Sequence, residues 1–116
     1  MILAAVLFAI AALGGVVMAF MRLGGKELPP TAIALVHGLF AASGLIALLV
    51  AIIGVNAPTS ARIALGGFVV AALGGFALFS FHLRQKALPI PLVIVHGLIA
   101  VISFALLLVG IFAYRA

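Results

Sequence analysis

The chain has 116 residues, 69% of them hydrophobic and 6% charged, with a formal net charge of +5 and no cysteine. A soluble domain of this size cannot hide that much apolar surface, and a chain without cysteine forms no disulfide, iron–sulfur cluster or thiolate zinc site. The positive charge is scattered over loops and ends, so it forms no nucleic-acid-binding stripe and reads instead as topology information.

About 20 apolar residues cross a bilayer core. Four such runs are present, spanning residues 2–21, 30–54, 62–83 and 89–113. Short connections make consecutive helices antiparallel neighbours. The expected fold is therefore all-α, an integral membrane four-helix bundle forming a single domain over residues 1–116.

The first run lacks the basic flank of a secretory signal, and its "AALGG" (Ala11–Gly15) returns as "AALGG" (Ala71–Gly75) in the third run, so it is expected to be retained. Between runs one and two lie Arg22, Lys26 and Glu27, then the prolines Pro29 and Pro30. Proline is accepted in a first helical turn because its missing N–H has no partner there anyway. The second run carries "VHGL" (Val36–Leu39), and Gly54 with "NAPTS" (Asn56–Ser60) ends it, leaving Thr59 or Ser60 to cap the third helix. The third run ends at His82 and Leu83, ahead of Arg84 and Lys86. The fourth opens on Pro89 and Pro91 and repeats "VHGL" at Val95–Leu98, and Tyr114 and Arg115 read as an interfacial anchor.

The matches are ordered. A shift of 60 aligns Ala11–Gly15 with Ala71–Gly75, Lys26 with Lys86, Leu28 with Leu88 and Pro29 with Pro89; a shift of 59 then aligns Val36–Leu39 with Val95–Leu98. The chain thus reads as two parallel copies of a transmembrane hairpin, repeat 1 about 1–57 and repeat 2 about 58–116, related by an axis along the membrane normal. The hairpin loops carry Arg22, Lys26, Arg84 and Lys86, against Arg62 and Arg115 at the other end. By the positive-inside rule both loops are cytoplasmic and both termini outside, in what reads as a bacterial inner membrane.

His37 and His96 fall about 10 Å inside the loop-side boundary, by helical rise from the prolines. Helices 2 and 4 are expected to be diagonal in the ring, with their histidines facing across the axis. Stepping along each histidine face gives His37, Ala41, Gly44 and Leu48 on one helix, and His96, Ala100, Ser103 and Leu107 on the other. Gly14, Gly15, Gly74 and Gly75 lie at about the same depth on the other two helices. Two large rings set among four residues without side chains leave room for a ligand.

This pattern resembles the b-type cytochromes of respiratory membranes, in which histidines on two helices of a bundle ligate haem iron from both faces while glycines on the other two clear the macrocycle. The resemblance implies His37 and His96 as axial ligands of one haem b and the four glycines as clearance residues, with Ala41, Gly44, Ala100 and Ser103 lining the pocket. Arg22, Lys26, Arg84 and Lys86 would meet the propionates or lipid headgroups. It implies electron transfer with a quinone or a larger redox complex. Membrane-crossing members of that group carry two histidines on each ligating helix; here there is one on each, which implies a single haem near one face. The "LP…HGL" pattern also resembles that of a loose group of short bacterial four-helix membrane proteins, which supports the bundle and implies no activity.

The competing reading is a cofactor-free accessory subunit. Each buried histidine then donates to a backbone carbonyl or to Ser43, Ser80 or Ser103, and the diglycines serve close helix packing. Either way a bundle this small is expected to form a homo-oligomer or join a larger complex. His82, aligned with Arg22, reads as an interfacial residue facing headgroups. Phe76, Phe79 and Phe81 read as lipid-facing or core filler. A proton-coupled exporter needs a membrane-embedded carboxylate, and the one acidic residue, Glu27, is in a loop. There is no nucleophile–base pair and no phosphate loop, so a stand-alone hydrolase or transferase is not expected.

Overall fold

The computed structural model describes residues 1–113. Tyr114 and Arg115, expected as an interfacial anchor, lie outside the described residues. The described residues form four helices and no strand: α1 (Ile2–Leu23), α2 (Thr31–Ile52), α3 (Thr59–Leu83) and α4 (Ile90–Ala113). Each is long and apolar enough to cross a membrane. The bundle is 46 Å long and about 20 Å across, close to the full thickness of a bilayer with its headgroups, about 40–45 Å.

The helix boundaries follow the turn chemistry, with two corrections. Helix α2 stops at Ile52, because Ile53 turns extended and Gly54 takes the left-handed conformation at φ +82°. Helix α3 starts three residues earlier than expected. Pro58 takes the N-cap position, and Thr59 and Ser60 lie inside the first turn with no side-chain cap. The loop-side ends of α1 and α3 close alike. Gly25 (φ +104°) and Gln85 (φ +55°) take the left-handed position. The N–H groups of Lys26 and Lys86 then reach back to the carbonyls of Met21 and Phe81, both at 3.0 Å. This arrangement satisfies carbonyls that the helix end leaves without partners.

Helix α1 packs chiefly on α2 and α3 on α4, while α2–α3 and α1–α4 touch less. The order around the ring is therefore α1, α2, α3, α4, with α1 diagonal to α3 and α2 diagonal to α4. The molecule is two tight hairpins meeting along a looser seam.

The packed core sits in the half nearer the termini. Ala4, Phe8, Leu48, Ala64, Phe68, Leu107 and Ile111 are buried together. Phe8 and Phe68 stack across the seam with ring centres 3.7 Å apart and planes within 6°. Leu48 and Leu107, both fully enclosed, fill the space around them. The loop-side half is different. Among residues 14–37 and 74–96, the buried ones are Pro29, His82 and Leu88. Large apolar side chains cover the outside, Leu13, Phe20, Phe76 and Leu83 being the most exposed. Such a surface suits lipid and not water.

Candidate functional site

His37 is the seventh residue of α2 and His96 the seventh of α4. Their rings face each other across the seam, centres 6.3 Å apart and planes nearly perpendicular at 77°. Each ring is pinned within its own hairpin. His37 Nδ1 lies 2.7 Å from the Ala11 carbonyl oxygen and His96 Nδ1 lies 2.8 Å from that of Ala71. A carbonyl only accepts, so Nδ1 carries the proton in both rings and donates it. Nε2 is then left with its lone pair, and it has no hydrogen-bond partner among the described residues.

The diglycines explain why those carbonyls can be reached. In a helix the residue four positions on lies over a carbonyl. Gly15 stands in that relation to Ala11 and Gly75 to Ala71, so the "AALGG" motif bares one carbonyl on each of α1 and α3. A Cβ on Gly15 would stand 3.0 Å from His37 Cε1, and one on Gly75 would stand 3.3 Å from His96 Cε1. A Cβ on Gly14 would meet His37 Cβ, and one on Gly74 would meet His96 Nδ1, each at an ordinary 3.5 Å. The clearance expected for a ligand is filled by the imidazoles themselves. "AALGG" and "VHGL" recur together because they are two halves of one interaction.

The remaining expected lining residues divide between two layers. Ala41 and Ala100, one turn beyond the histidines, are half-buried. Gly44 and Ser103 belong to the phenylalanine layer. A Cβ on Gly44 would stand 3.1 Å from the Phe8 ring, and Ser103 Oγ fills the space above Gly67. Ser103 donates to the Ile99 carbonyl in its own helix at 2.7 Å, and Ser80 to that of Ala77 at 2.6 Å, so neither serine serves a histidine. His37 also borders an apolar groove of about 270 Å³ on the outer side of its hairpin, with Ile10, Gly14, Ala32, Ile33 and Val36. That is below the roughly 300–1,000 Å³ of small-molecule pockets.

The loop end corrects two sequence expectations. His82 does not face headgroups; it is 6% exposed. Its Nε2 lies 2.8 Å from Thr31 Oγ1 on α2. Its ring stacks on Phe79 at 5.7 Å. Arg22, its aligned counterpart, also turns inward and donates from Nε to the Leu88 carbonyl in the other loop at 2.8 Å. Arg84 lies over the Phe81 ring at 4.5 Å and bonds the Ser80 carbonyl. Lys26, Arg84 and Lys86 are exposed on one end of the bundle, in position to meet anionic groups.

Among the described residues, no three metal-ligating side chains converge. Comparison with protein-family models, curated proteins and solved structures gives no match, so the functional reading rests on the site alone.

Proposed function

We propose that the chain is an integral membrane protein, a duplicated transmembrane hairpin, in which the imidazoles of His37 and His96 would hold one haem b. The observation that carries this reading is the imidazole pair: two rings facing across the seam, each with Nδ1–H committed to a helix carbonyl and Nε2 left to accept a metal. The unprotonated Nε2 on each ring is the donor chemistry that haem iron would take.

Bound there, a haem would supply one-electron transfer. The chain supplies the rest. The bonds to Ala11 and Ala71 fix tautomer and ring orientation. The stacked Phe8 and Phe68 close the interior on the side of the termini. Lys26, Arg84 and Lys86 offer charge for propionates or lipid headgroups at the loop end, which the positive-inside rule puts in the cytoplasm of a bacterial cell. A quinone or a larger redox complex is the partner that such a one-electron carrier needs. The lipid-suited outer surface of so small a bundle favours self-association or a place in that complex.

One observation favours a second reading. The Nδ1–carbonyl bonds and the diglycine seats also serve a cofactor-free accessory subunit, in which the histidines only tie α2 to α1 and α4 to α3. Mutation separates the two. With haem supplied during expression, His37→Ala and His96→Ala each abolish haem retention under the first reading. Under the second, the wild-type protein purifies without haem, and each substitution only lowers stability.

A further inference from the structure

The loop end of the bundle is closed by contacts that the imidazole pair does not use. Position 22 of one hairpin and position 82 of the other, aligned by the sixty-residue shift, each reach into the opposite hairpin. His82 on α3 meets Thr31 at the first turn of α2, 2.8 Å away. Arg22 at the end of α1 donates to the Leu88 carbonyl ahead of α4, also at 2.8 Å. Between them the Leu88 N–H donates to the Glu27 carbonyl at 3.2 Å, joining the two loops backbone to backbone.

Packing gives these bonds a purpose. On the side of the termini, the stacked phenylalanines and enclosed leucines hold the hairpins together through a sealed core. On the loop side, the three buried residues are Pro29, His82 and Leu88, which are the closure itself or its neighbour. Between that closure and the imidazoles no side chain is sealed. The bundle is therefore firm at one end and held by a few polar bonds at the other, with the imidazole pair between.

We infer that the His82–Thr31 bond, with the Arg22 and Glu27 bonds around Leu88, is a clasp whose release parts the hairpins at the loop end and admits ligands to His37 and His96. The hinge is the Phe8–Phe68 layer. The inference holds whatever group the imidazoles take, because it concerns access and not the occupant.

The native chain has no cysteine, so labels can be placed cleanly. Lys26→Cys and Lys86→Cys, both in exposed loop positions, carry spin labels for an electron–electron distance measurement in lipid vesicles. In the same preparations, diethyl pyrocarbonate modification of His37 and His96 is followed by mass spectrometry. Thr31→Val removes the hydroxyl and little else, so it leaves the helices intact even where His82→Ala does not. Releasing one intramembrane hydrogen bond is expected to lengthen or broaden the label distance and to raise modification of both histidines about threefold. An unchanged distance distribution overturns the clasp. A changed distance with unchanged modification overturns its role as a gate.

Discussion

Gly15→Ala adds one methyl group where His37 lies. The new Cβ would stand 3.0 Å from His37 Cε1 and 3.4 Å from Nδ1, tighter than most side-chain contacts, and both neighbours belong to a ring held by its bond to Ala11. The ring must tilt away, and the bond lengthens or breaks. Overpacking a fitted site costs about 1–3 kcal/mol. The intramembrane hydrogen bond adds about 0.6 and at most about 1.7 kcal/mol. Against these stands the gain of replacing glycine within a helix, about 1 kcal/mol. The net expectation is a loss of about 0.6–3.7 kcal/mol. Gly38→Ala is the matched comparison, since a Cβ there meets nothing within 4 Å; it should be neutral or stabilising by up to about 1 kcal/mol. Gly75→Ala, at 3.3 Å from His96 Cε1, should fall between the two. Unfolding of all three in mixed micelles gives the order. If Gly15→Ala is as stable as Gly38→Ala, the diglycines are not imidazole seats and the reasoning fails.

Other substitutions probe separate parts of the structure. Gly67→Ala pushes a Cβ into Ser103 Oγ and should destabilise more than Gly15→Ala; combining it with Ser103→Gly should restore much of the loss, read as a coupling energy in a double-mutant cycle. Gln85→Gly relieves a left-handed residue at the end of α3 and should raise stability by about 1 kcal/mol, measured by the same unfolding assay. Phe8→Ala removes half of the central stack and opens a cavity, at a cost of about 3–5 kcal/mol.

Much of the architecture was legible because its signals are long and periodic. Four apolar runs and their prolines give four helices, and the recurring motifs identify equivalent positions. The observed core agrees with that equivalence: Ala4 and Ala64, Phe8 and Phe68, and Leu48 and Leu107 are all buried. The depth and facing of His37 and His96 were legible for the same reason. The partner of each histidine was not singled out. A carbonyl carries no sequence letter, and the clue was the spacing of Ala11 and Gly15, which reads as ordinary small-residue packing until the ring is placed on it. His82 misled because its position at a helix end beside Arg84 is what a headgroup-facing residue shows. Its hydrogen-bond partner, Thr31, lies 51 residues away, in the other hairpin. Ser103 lies two turns beyond His96, and Gly67, the residue it covers, lies on another helix, so no spacing within α4 discloses that contact.

The central claim is that two "VHGL" histidines ligate one haem. The direct measurement is the visible spectrum of the protein purified in mild detergent, after expression with haem supplied, recorded oxidised and after dithionite reduction. Bis-imidazole ligation predicts sharp reduced α and β bands with a strong Soret peak at about one haem per chain. A colourless, folded protein would contradict it.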